Sequence, residues 1–156
     1  VPLLSQLTLA LSPLQVRTAL RDAGVTAREG PITTWELSAG EMAVLYLVDW
    51  LKKRKPVADE PMACITATFG KTIAQSIDVL EEYLQQEAES LPTVQLLILD
   101  STLVVMSGVK GYLDLRSGDV IDGPTQLPIE ITAINLTAMY CLHKKRLLDV
   151  PQTKTG

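Results

Sequence analysis

Between Ser38 and Pro56 the chain carries the segment that most restricts its fold. Ser38 and Glu41 have the spacing of a capping box, and from Met42 to Leu51 one charge, Asp49, interrupts an otherwise apolar run. A helix of that composition has no polar face to offer water, so it belongs at the centre of a core or beneath a partner. Lys52-Lys53-Arg54-Lys55 places positive charge where the carbonyl end of the helix favours it, and Pro56 stops the helix.

Neighbouring elements are needed to surround it, and the periodicity supplies them. Ser12, Pro13 and Gln15 mark a helix start with a capping box; Val16, Ala19, Leu20 and Ala23 share one face, and Gly24 ends the helix. Residues 3–11 fit strand and helix spacing equally, so their conformation stays open. Residues 25–37 are turn-rich around Gly30-Pro31. After an acidic loop over 57–61, Met62 to Phe69 reads as a short strand. Thr72 to Glu89 reads as an amphipathic helix, with Ile73, Ile77, Leu80 and Leu84 inward and an acidic outer face.

From Thr93 the period becomes strand-like. Val94–Leu99 and Leu103–Ser107 are joined by an Asp100-Ser101 turn, and Gly111–Leu115 and Val120–Ile121 form a hairpin with Gly118 in the left-handed position. Pro124 and Pro128 interrupt the sheet. A closing helix is expected over 129–147, burying Ile131, Ile134, Ala138, Cys141 and Leu142. These elements predict an α+β domain: about four helices on one face of a small antiparallel sheet, a meander over 94–122, closed by a C-terminal helix. Residues 1–150 form one domain and 151–156 a flexible tail.

The chain of 156 residues is 47% hydrophobic and 21% charged, with mean hydropathy +0.20. That apolar surplus fits either surface hidden in an oligomer or complex or simply a leucine-rich interior. A net charge of -4 disfavours nucleic acid and anionic lipid. Cys64 and Cys141 lack metal or redox spacing and read as buried free thiols in a reducing compartment, hence a cytoplasmic protein. Asn135-Leu136-Thr137 is a glycosylation tripeptide placed in an expected helix, and it is discounted. Val1–Val16 lacks the basic start of a signal peptide. Leu91–Val109 carries Asp100 at its middle, so no membrane span is expected.

Candidate chemistry is sparse. Phe69-Gly70-Lys71-Thr72 suggests a phosphate loop, but Ile65 stands where the first glycine is required, which leaves only an anion contact for Lys71 at a helix start. His143 is the single histidine, which excludes a histidine-based relay or multi-histidine metal site within one chain. Asp114, Asp119 and Asp122 lack the spacing of a calcium loop. No catalytic residue, cofactor or metal is expected, and no predicted helix carries the exposed polar first turn of a recognition helix.

The leading reading is a non-enzymatic interaction subunit or adaptor in a homo- or hetero-oligomer. Trp35, Leu45, Tyr46 and Trp50 lie at or just under its working surface. The alternatives are a nucleic-acid-associated regulator using Lys52, Lys53, Arg54, Lys55, Lys144, Lys145 and Arg146, and a small enzyme whose site is shared between subunits.

Overall fold

The computed structural model describes residues 4, 7, 9, 11–25, 29–54, 59–85 and 93–149. The tail 151–156 and most of residues 1–11 lie outside that set. Helix α1 (Pro13–Asp22) starts as its residues dictate: Ser12 Oγ accepts from the Gln15 amide at 3.2 Å, and Gln15 Oε1 accepts from the Ser12 amide at 3.0 Å. Gly24, with φ +86°, turns the chain so that the Val25 amide reaches back to Leu20, closing the orphan carbonyls of the last turn.

Helix α2 (Ala39–Arg54) is the hub. Met42 to Val48, Asp49 and Leu51 are all buried, as an apolar surface on every side requires. It packs antiparallel on α3 (Asp59–Gln85), with α1 and the last helix, α4 (Leu136–Asp149), on its other flanks. The approach to α3 is set by Gly40. A Cβ there would lie 2.0 Å from the Ala74 carbonyl oxygen, while the Gly40 amide donates to Asp78 Oδ1 at 2.8 Å. One residue thus permits the contact sterically and anchors it by capping.

The expected strand over 62–69 is instead the first half of α3. Ile65, Phe69, Ile73, Ile77 and Leu80 are buried at helical spacing, so the apolar run continues one stripe through Gly70. Gly70 punctuates nothing. It lets the end of α1 come close, since a Cβ there would stand 3.2 Å from the Asp22 carbonyl oxygen. The expected turn at 57–61 is likewise shortened, because Asp59 to Pro61 already belong to α3.

The sheet comprises β1 (Gln95–Leu99), β2 (Leu103–Met106), β3 (Tyr112–Asp114), β4 (Val120–Ile121) and β5 (Ile131–Asn135), all antiparallel, in the order β4-β3-β2-β1-β5. Asp100 and Ser101 both have positive φ at the centre of a turn closed by the Thr102 amide on the Leu99 carbonyl, within the three residues that join β1 to β2. Gly118 takes the left-handed position expected of it.

The second correction concerns β5. Residues 131–135 pair with β1 and are not the start of the closing helix, which begins at Leu136. Ile131 is therefore exposed, and Leu142 lies on the outer side of α4. Cys64 and Cys141 are half-buried and unpaired. Leu96, Ile98, Val104, Met106, Leu113 and Ile134 point into the helices and join the main core, so all four helices lie on one face of the sheet.

Gly40→Ala is expected to destabilise the fold by about 3 kcal/mol, because backbone meets backbone and no side chain can yield. A urea midpoint that falls with an unchanged denaturant slope checks it.

Candidate interaction surface

Among the described residues, no helix packs on the opposite face of the sheet. Leu97, Leu99, Leu103, Val105, Tyr112 and Ile121 alternate onto this side, together with Ile131 and Ala133 of β5. Leu99 and Leu103 are buried yet stand apart from the main core; Leu97, Val105, Tyr112 and Ile121 are half-buried, and Ile131 and Ala133 are exposed. Beside it, a hollow of about 540 Å³ is lined by Val105, Val109, Tyr112, Val120 and Ile121 among others.

Exposed apolar side chains concentrate in the stretch that leads from one edge strand, β4, to the other, β5. Of seven large hydrophobic residues exposed among the described residues, Val120, Leu127, Ile129 and Ile131 fall in the passage from β4 to β5. Leu127 is 91% and Ile129 99% exposed, more than isolated surface residues of a packed domain require. The passage is nevertheless held in place. The Asp100 carboxylate accepts from the Ile129 and Glu130 amides at 3.1 and 2.9 Å, and the Asp100 amide donates to the Glu130 carbonyl.

The β5 edge follows from that anchoring. The bonds between Asp100 and Glu130 and between Leu136 and Val94 fix which β5 residues face β1, namely Thr132 and Ile134. In an antiparallel ladder the intervening residues direct both main-chain groups the other way. Ile131 and Ala133 therefore present both main-chain groups along the sheet's outer edge, and Asn135 its amide, since Asn135 caps α4 and its carbonyl opens that helix. Natural edges are guarded by charge, proline, bulges or brevity. The β4 edge has two residues, whereas Ile-Thr-Ala-Ile-Asn has none of these guards.

The residues singled out from sequence are dispersed. Leu45 and Tyr46 are buried within the single chain, while Trp35 and Trp50 are half-buried against the same core. Lys53 pairs with Asp49 at 2.8 Å, Lys52 donates to Gln15 at 3.0 Å, and Arg54 lies over the Trp50 ring. Lys144 meets Glu81 at 2.6 Å. Lys144 is drawn to Glu81 of α3, while the adjacent His143 stacks on Tyr46 of α2. Lys145 is exposed, Lys55 lies outside the described residues, and so does the side chain of Arg146.

Lys71, expected at a helix start, is well inside α3, where no main-chain donors are free to bind an anion. It lines a hollow of about 350 Å³ with Ser38, Glu41 and Asp78, but Ser38 Oγ and Asp78 Oδ1 already cap α2. Asp114 binds the Arg116 amide, which holds its carboxyl below the usual range. Among the described residues, no group of three His, Cys, Asp or Glu side chains is placed to hold a metal, and no helix is long and apolar enough to cross a membrane.

A polar knot joins three helices. Tyr140 donates to Glu81 Oε2 at 2.6 Å, Lys144 takes Glu81 Oε1, and Tyr46 stacks on His143 with ring centroids 3.9 Å apart. Burial pushes the Tyr46 phenol up to about 12, and burial followed by the Glu81 hydrogen bond raises Tyr140 as well. The knot satisfies its own groups and aligns α4. Residues 127–133 were the part of the surface that helical spacing concealed, although the alternation of Ile129, Ile131 and Ala133 after Pro128 carries a strand signal.

Comparison of the chain with protein-family models, curated proteins and solved structures finds no match. What the fold and surface define is an α+β domain with helices on one sheet face and an apolar second face ending in an open edge.

The raised tyrosines make stability depend on alkaline pH. The folded state keeps protons that the unfolded chain releases near the ordinary tyrosine value of 10.0, so their contribution is complete below that pH and is lost as pH rises through about 12 for Tyr46. Urea midpoints are expected to fall across this window. Tyr140→Phe is expected to make that fall shallower and to cost about 1–2 kcal/mol at neutral pH.

Proposed function

We propose that this chain is a non-enzymatic protein-interaction subunit whose working surface is the open face of the sheet and its β5 border. The observation that carries the reading is the nearly complete exposure of Leu127 and Ile129 on a tethered passage beside an unguarded strand edge. Apolar residues held rigidly in water are a standing cost to solubility, which a covering protein surface removes.

The sequence-based expectation centred this function on α2. Burial of Leu45 and Tyr46 inside one chain leaves Trp35 and Trp50 as the members of that set with surface to offer. A nucleic-acid reading has weaker support, because Lys52, Lys53 and Lys144 have internal partners and the net charge is -4.

The test is the mass of the species isolated under mild conditions from its source, combined with carbene footprinting of residues 127–131. The expected result is a particle heavier than 17.0 kDa in which this passage is protected. Leu127→Ser with Ile129→Ser is expected to leave stability within about 0.5 kcal/mol, since both side chains are in water. The same pair should weaken assembly at least tenfold. A lone chain with the passage fully labelled would contradict the reading.

A further inference from the structure

The occupant of the β5 edge can be argued from the edge itself. A row of outward main-chain groups is completed by another strand, not by a helix or a flat surface, because only a strand offers donors and acceptors at matching intervals. The ladder with β1 makes Ile131, Ala133 and Asn135 the outward residues, and they are spaced symmetrically about Ala133.

We propose that the strand completing this edge is β5 of a second copy, paired antiparallel about a two-fold axis at Ala133. This proposal rests on the interaction-subunit reading and names its partner. Under that operator Ile131 of one copy stands opposite Asn135 of the other, and Ala133 opposite Ala133. Every outward residue thus meets an outward residue: the Ala133 pair exchanges two main-chain hydrogen bonds, and each Asn135 amide donates to the Ile131 carbonyl opposite, its own carbonyl being used by α4. Shifting one copy by a single residue would set outward groups against inward ones and lose the ladder.

Three further observations favour a second copy. No charged side chain lies between Ile131 and Asn135, so self-pairing brings no like charges together within the strand. The small Ala133 at the axis lets the two backbones approach. The two-fold also keeps both helical layers on the same side of the joined sheet, and α4, leaving directly from β5, exposes Ala138 and Leu142 one turn apart on its outer surface. The other edge, two residues of β4, is too short to compete. A strand of five residues buries less than a standard interface, so the dimer is expected to dissociate on dilution.

The experiment uses the purified full chain and no other protein. Sedimentation equilibrium across a thousandfold dilution is expected to show a reversible shift from twice 17.0 kDa to 17.0 kDa. Ala133→Lys places a charge from each copy at the axis and is expected to weaken the dimer at least a hundredfold, with an unchanged thermal midpoint showing that the chain still folds. A second arm does not depend on that variant. In a Cys64→Ser, Cys141→Ser background, Ala133→Cys is expected to give a disulfide-linked dimer, since Cα atoms of such a pair lie about 5.5 Å apart, within disulfide range. Ile131→Cys is expected not to, because the two positions would be about 13 Å apart along the strands.

A dimer indifferent to Ala133→Lys, crosslinking at 131 in preference to 133, or a chain monomeric at every concentration would each overturn the self-pairing. If the pure chain is monomeric while the species from its source is heavier than 17.0 kDa, self-pairing fails and the interaction reading stands with a different partner. If both are 17.0 kDa, both fail.

Discussion

Helix α2 has apolar side chains on all sides, and the structure is organised around the need to cover them. Leu45, Leu47, Val48 and Leu51 face different directions around the helix and are all buried, so α2 needs α1, α3 and α4 as walls. The closest of these contacts is made by backbone. Gly40 against Ala74 brings α2 and α3 nearer than any side chain would allow, and Asp78 closes the same junction by capping α2. Burial supplies the driving force, while the missing Cβ and the cap select the geometry.

That arrangement determines what remains for the sheet. The strands contribute one apolar face to the helical layer through Leu96, Ile98, Val104, Met106, Leu113 and Ile134. Their alternate residues are also apolar, whereas a sheet facing water on one side usually alternates with polar residues. Among the described residues, no helix is left to cover the second face. Asp100, held with positive φ in the β1–β2 turn, ties the start of β5 beside β1 and leaves β5 as the outer strand. The open face and the open edge are thus consequences of how the helices are used. Surface charge adds little to this arrangement, since the paired lysines have partners within the chain.

Much of this was legible in the residues. The capping box at Ser12, the Ser38 hydroxyl cap on the Glu41 amide, the turn at Asp100-Ser101 and the left-handed Gly118 are local chemistry and lie where the sequence places them. The errors at 62–69 and 129–135 share a cause: short apolar runs of beta-branched and small residues fit either period. Packing decided them in opposite directions. Gly70 accommodated α1 and let α3 continue, whereas pairing with β1, distant in sequence, drew 131–135 into a strand. The apolar surplus in the composition fits a leucine-rich interior as well as uncovered surface, and where its exposed part falls depended on that non-local pairing. That part therefore lies at Leu127, Ile129 and Ile131, away from buried Leu45 and Tyr46.

The central claim is that Ile131, Ala133 and Asn135 offer their main chain to a second copy. Residue-resolved amide hydrogen exchange, measured on concentrated and on dilute protein, addresses it most directly. The account predicts that the amides of Ile131, Ala133 and Asn135 exchange slowly in the concentrated sample and quickly on dilution. Those of Thr132 and Ile134, bonded to β1, stay slow in both. Rapid exchange of the three outward amides at every concentration would contradict it.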